Sequence, residues 1–221
     1  YNGGSHTPFL DDLLAKSLTL DAHHACSNWT YGAVLCGLGG ADGVDLGWVP
    51  YASEPGVAIP GEIQLLPGQL QNHGFRVGLV STNGYLGYTS KLSRYYDLFE
   101  DHELGAAETV VDEGLGMLDD LIGADRWFLH LHFFDPHSPY APPEQYLGGL
   151  AGLGAIDFDL SLMAEVVRLQ DEWKDPGDEE RALILEHLRV RYEGSIAYLD
   201  DELARLWEGL EEAGALEEAL V

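Results

Sequence analysis

The sequence predicts a layered α/β domain with a mostly parallel sheet flanked by helices. Three observations carry this reading. Two apolar runs of strand length, "RVGLVS" at 76–81 and "WFLHLHFF" at 127–134, stand far apart in the chain. Segments with helical spacing and recognisable end signals lie between and around them. The 221 residues are 46% apolar and 10% aromatic, enough for one core of this kind without a covalent staple.

In chain order, "HTPFLDDLLAKS" reads as a short helix. Thr7 caps it, Pro8 takes the first helical position, and Leu10, Leu13 and Leu14 form one face. "LTLDAHHA" at 18–25 alternates and reads as a strand. Thr30 to Leu38 carries small and apolar residues suited to a buried helix. "PGQLQNHGF" ends a helix at Gly74, and 76–81 follows as a strand. Ala106 to Ile122 sets Val110, Val111, Leu115, Leu118 and Leu121 at helical spacing. The strand at 127–134 is closed by the turn former Asp135-Pro136. Gly and Ala dominate "LGGLAGLGAI", so the 150s read as a loop or small subdomain. One long helix is predicted over Asp178 to Ala213, with Tyr192, Ile196, Leu199, Leu203, Leu206 and Leu210 on one stripe and Gly214 ending it.

Composition narrows the partners. There are 38 acidic residues against 11 basic ones, and the lysines are only Lys16, Lys91 and Lys174. No basic patch can be assembled to displace counterions, which argues against nucleic acid or an anionic membrane surface. Salt adaptation, a compositional bias of the source, or simply a solvated acidic surface accounts for the balance. No apolar run is long enough to span a bilayer, and no signal-peptide pattern stands at Tyr1.

Two stretches could carry chemistry. Thr30 opens a predicted helix, so its hydroxyl would lie among unpaired N–H groups at the positive end of the dipole, a setting for an anionic substrate. A threonine nucleophile needs a metal or base to activate it. Equally, Thr30 reads as a plain N-cap or as part of the sequon Asn28-Trp29-Thr30. In "LHLHFFDPHSPY", His130 and His132 fall on the same face of a regular strand and read as core histidines, while His137 lies beyond the turn, free to reach a cleft. The two cysteines, Cys26 and Cys36, bracket Thr30 and read either as a clamp or as two buried thiols.

Five stretches together resemble the sulfatase family of the alkaline phosphatase superfamily. They are "TPFLDDLLAKS", the Thr30 run, "GQLQNHGFRVGLVSTNGYLG", "FLHLHFFDPHSPYAPPEQY" and "RYEGSIAYLDDELARLWEGLEEAGALEEALV". The resemblance implies an alkaline phosphatase-like fold over 1–221, here an incomplete catalytic domain, with a variable loop or small subdomain at about 147–178. It implies a sulfate- or phosphate-ester hydrolase working through a covalent intermediate. The family nucleophile stands ten residues before a glycine, which from Gly40 gives Thr30; counting from Gly37 gives Ser27, a poorer fit. Gly32, Ala33 and Val34 stand where the family has Pro, Ser and Arg.

The resemblance extends to the phosphoethanolamine transferases of the same superfamily, whose threonine nucleophile is flanked by disulfide-bonded cysteines. It implies a Cys26–Cys36 disulfide and hence a periplasmic or extracellular setting, with a cytoplasmic one as the alternative. It further implies Thr30 and His137 as catalytic residues and Asn83 and His132 as substrate-binding ones. Thr30 would also be a ligand of a divalent metal (Ca, Zn or Mn), the remaining ligands being expected before Tyr1 and after Val221. The implied substrate is a small-molecule, lipid or glycan ester. Three departures stand out: Thr cannot become formylglycine, the Arg after the nucleophile is missing, and so is the Lys near Thr82. The rival expectation is a sulfatase-like binding or structural domain that has lost its activity.

Overall fold

The computed structural model describes residues 6–40, 59, 61, 63–87, 90–173, 177–217 and 219–221. These fall into two compact units, one of residues 1–18 and 135–205, the other of 19–134 and 206–221.

The second unit holds the sheet. Strands β1 (Arg76–Ser81), β2 (Leu98–Asp101) and β3 (Trp127–His132) run in the order β2-β1-β3, and both pairings are parallel. Register sets Ser81 level with both Asp101 and His132, so the three carboxyl ends emerge side by side. Alternation along β1 divides its side chains between two cores. Val77 and Leu79 pack with Tyr31 and Leu35 of α2 (Thr30–Gly39), with Leu86, and with Leu70 of α3 (Leu66–Asn72). Val80 points the other way, onto Val110 of α4 (Ala107–Gly116) and Leu121 of α5 (Leu118–Ile122). Leu118 also meets Leu210 and Ala215. Helices therefore cover both faces, as a parallel sheet requires. Gly74 ends the α3 segment at φ +80°, a left-handed residue that glycine adopts without strain.

The first unit consists of α1 (Pro8–Leu14), α6 (Met163–Glu172), residues 178–205 of α7 (Asp178–Glu212) and the segment from 135 onward. Leu160, Leu169 and Ile184 form its core. Thr7 makes no side-chain cap to α1. Instead, the Asp200 carboxylate accepts from the Phe9 and Leu10 amides at 2.8 and 2.9 Å. Asp200 is 1% exposed, so this distant side chain does the work that the local sequence assigned to Thr7.

Four local expectations differ from the structure. No strand forms over 18–25, where Leu18 and Leu20 are 88% and 66% exposed. Alternation specifies a face, but a strand also needs a neighbour to bond, and none pairs here among the described residues. The 106–122 helix is divided by Met117 into α4 and α5, just after the weak helix former Gly116. β3 stops at His132, two residues short of the apolar run's end. The four-residue β2 and the helix α6 are additional elements. Among the described residues, no helix is long and apolar enough to cross a membrane.

Candidate functional site

The carboxyl end of a parallel sheet is where open α/β folds gather ligands, and in the second unit three sequence-predicted site segments meet there. Thr30 is the first residue of α2, with Trp29 in extended conformation (φ −136°, ψ 152°) as the N-cap residue. The helix has no side-chain cap. A disulfide joins Cys26 to Cys36 with Cα atoms 6.3 Å apart, tying the approach to α2 onto the helix itself. Gly32, in the position of the family's Pro, has a packing reason. A Cβ there would stand 2.8 Å from Ser27 Oγ and 3.1 Å from Trp29 Nε1.

The two neighbours of Thr30 locate it. Trp29 packs edge-on to Tyr85 with centroids 5.8 Å apart, and Tyr31 stacks on the same ring at 6.3 Å. Tyr85 is the middle residue of a short 3-10 turn, Gly84–Leu86, whose N-cap is Asn83, the side-chain Oδ1 accepting from the Tyr85 amide at 3.0 Å. The start of α2 and the loop leaving β1 are thus one packed cluster. Asn83 is 5% exposed, and its Oδ1 is committed to that cap.

Thr82 links this loop to the end of β3. Its Oγ1 donates to the His132 carbonyl at 3.2 Å and accepts from the Phe134 amide at 2.9 Å. His132 itself is partly exposed, but its Nδ1 is buried and has no hydrogen-bond partner among the described residues. Burial holds its pKa below the ordinary histidine value, so the ring is kept neutral. His130, one pleat earlier on the same face, is spent on structure: its Nδ1 lies 2.9 Å from the Tyr96 hydroxyl. Burial first, and the neighbouring His132 second, lower its pKa to about 4.

His137 belongs to the first unit, where its exposed ring has Nδ1 2.6 Å from the Ser138 carbonyl. The structure thus gathers Thr30, Asn83 and His132 in one unit and carries His137 in the other. Thr82 and Tyr85 are the residues that sequence reasoning passed over. Both sit inside the "STNGYLG" segment already singled out, but their roles arise from partners about 50 residues away. Among the described residues, no group of three or more His, Cys, Asp or Glu side chains is arranged to hold a metal ion. The described donors therefore do not fit a divalent metal by themselves.

Comparison with known proteins bears on the whole chain. The chain covers 97% of its own length and 59% of the solved structure of BT4656 in complex with its substrate D-glucosamine-2-N,6-O-disulfate, with a TM-score of 0.68 and 14% identity. The structure of Ps i-CgsB in complex with k-i-k-neocarrahexaose aligns at a TM-score of 0.64 and 14% identity, over 96% of this chain and 51% of that one. Lipoteichoic acid synthase LtaP from Listeria monocytogenes aligns at 0.61 and 15% identity, over 96% and 48%. The chain thus spans roughly half the length of these structures, and the likeness is one of fold. No curated protein sequence matches. The family model named Sulfatase matches residues 1–221 from end to end, and the chain belongs to the sulfatase family.

Proposed function

We propose that the chain forms the nucleophile-bearing part of a sulfatase-family enzyme that cleaves sulfate or phosphate esters, with Thr30 as the attacking group. The observation that carries this is the disulfide-tied start of α2, uncapped by any side chain and packed through Tyr85 against the loop leaving β1. An uncapped helix start favours an oxyanion over a neutral ligand.

In the proposed step, Thr30 Oγ1 bonds to the phosphorus or sulfur as the ester oxygen leaves. The hydroxyl proton is lost and the departing alcohol gains one, so no net proton is consumed. Water then cleaves the covalent intermediate. His137, solvent-facing, is the candidate proton donor to the leaving group, and His132 the candidate contact to the transferring group. Family members generally use a divalent metal; Ca, Zn or Mn would serve, but the described donors do not fit one. Thr30 favours phosphorus over sulfur, because the formylglycine route needs a primary thiol or alcohol. The substrate would be a small-molecule, lipid or glycan ester. The disulfide supports an oxidising compartment, periplasmic or extracellular.

The commitment of Asn83 Oδ1 to the Tyr85 amide favours a second reading, a domain that kept the fold and lost the chemistry. Intact-mass analysis of the full-length protein, quenched while turning over a phosphodiester, separates the two. A phosphoryl adduct mapped to Thr30 and absent from Thr30→Ala is expected. A sulfate-ester preference without that adduct, or no turnover at all, refutes the Thr30 assignment.

A further inference from the structure

Leu150, residues 155–159 and α7 line a shallow, solvent-open cleft of about 510 Å³ within the first unit. This is the volume of a site for a ligand of sugar size. Leu150, Ile156 and Phe158 give it apolar walls. His187 and Arg191 also line it, four residues apart and so on one face of α7.

The polar groups of the cleft are unequally engaged. Asp159 Oδ1 accepts from the Ser161 amide and hydroxyl at 3.1 and 2.5 Å. Asp157 Oδ2 stands 3.7 Å from Arg168 Nη1. His187 Nε2 donates to the Gly154 carbonyl at 2.9 Å. Arg191 differs. Its Nη1 donates to the Tyr140 carbonyl at 3.3 Å, and its Nε is buried without an acceptor among the described residues. A guanidinium has five N–H donors; the charge of Arg191 acts on nearby Asp159 and, after the Ser161 hydrogen bonds, helps hold that carboxyl below its ordinary value, but the one hydrogen bond it makes among the described residues is to the Tyr140 carbonyl.

We propose that this cleft binds a small hydroxylated ligand bearing one oxyanion group, a sugar sulfate, sugar phosphate or sugar acid, held by the spare donors of Arg191. A planar fork of donors matches the oxygens of any of the three. The two aspartates at the cleft can accept ligand hydroxyls, and their charge favours a singly charged sulfate or carboxylate over a phosphate dianion. The apolar walls suit the face of a ring. The inference does not rest on Thr30 being a nucleophile.

Calorimetric titration of the full-length protein with glucose 6-sulfate, glucose 6-phosphate, glucuronate and glucose is the test. Saturable binding of at least one charged sugar, and none of glucose, is expected. Which of the three saturates identifies the oxyanion. Arg191→Gln should weaken that binding about tenfold or more, the effect of losing a charge-assisted bond. Ala155→Trp, adding bulk at an exposed lining position, should abolish it. Thr30→Ala should leave it unchanged, which separates this cleft from the proposed nucleophile site. No saturation by any charged sugar, equal binding of glucose, or loss of binding in Thr30→Ala would overturn the proposal. So would wild-type affinity in Arg191→Gln; if that variant's Tm falls, Ala155→Trp decides alone, and unchanged affinity there overturns it.

Discussion

The His130–Tyr96 pair makes the fold sensitive to acid in a way that can be worked out. His130 is half-buried, packed against Phe128 and Tyr96, and this burial lowers its pKa to about 4 from the ordinary 6.5. Because the folded value is the lower one, the unfolded chain takes up the proton first as pH falls. Stability attributable to His130 is therefore intact above pH 6.5 and is lost progressively down to pH 4. At pH 6 the unfolded ring is about three-quarters protonated and the folded one almost not at all, a slope of about 1 kcal/mol per pH unit. Summed from pH 7 to pH 5, the loss is about 2 kcal/mol, and its limit below pH 4 is about 3 kcal/mol. The perturbation is His130→Gln, which cannot titrate but keeps an amide for the Tyr96 hydroxyl. Denaturant unfolding of both proteins at pH 7, 6 and 5 gives the two slopes, with carboxylate contributions common to each. The wild type should lose about 2 kcal/mol more than the variant over that range. Parallel pH profiles would refute the reasoning, because they would mean that His130 titrates alike in folded and unfolded chains.

Two further expectations concern stability. Replacing Cys26 and Cys36 together by Ser opens a link of sequence separation 10 and should cost about 3 kcal/mol in denaturant unfolding; two reactive thiols in the denatured, unreduced wild type would contradict the disulfide. Gly194→Ala should lower Tm although Ala is the better helix former by about 1 kcal/mol, since its Cβ would stand 2.6 Å from the Tyr146 carbonyl oxygen. A raised Tm would show that the loop at Tyr146 yields freely.

What could be read from the residues depended on how local each cause was. β1 and α7 are legible because an apolar run, or a stripe ended by a glycine, acts within its own segment. β2 was not, because Leu98–Asp101 is four residues long and half acidic; it is a strand only because Val77 and its neighbours offer an edge. The acceptor for the Val77 amide is the Asp97 carboxylate at 2.9 Å, which no pattern within 76–81 announces. The Thr7 signal was genuine as local chemistry and was displaced by Asp200. In the candidate site, Thr30 was singled out at a predicted helix start and took its role, as Asn83 did, from the family likeness. Their neighbourhood depends on Tyr85 receiving the rings of Trp29, just before α2, and Tyr31, within it, a contact invisible without the fold.

The Asp200 carboxylate also fixes the order in which the molecule can be completed. The amides it receives, Phe9 and Leu10, are 191 and 190 positions earlier in the chain. On the ribosome α1 emerges well ahead of its acceptor, and its amino-terminal amides stay unmet until about 190 further residues have been made. At about 5–20 residues per second that delay is about 10–40 s. All three strands lie between the two partners in sequence, so the sheet has time to assemble first. Among the described helices α1 is made before the others yet its first amides are secured after the sheet, and over that interval it is left open to chaperones and proteases.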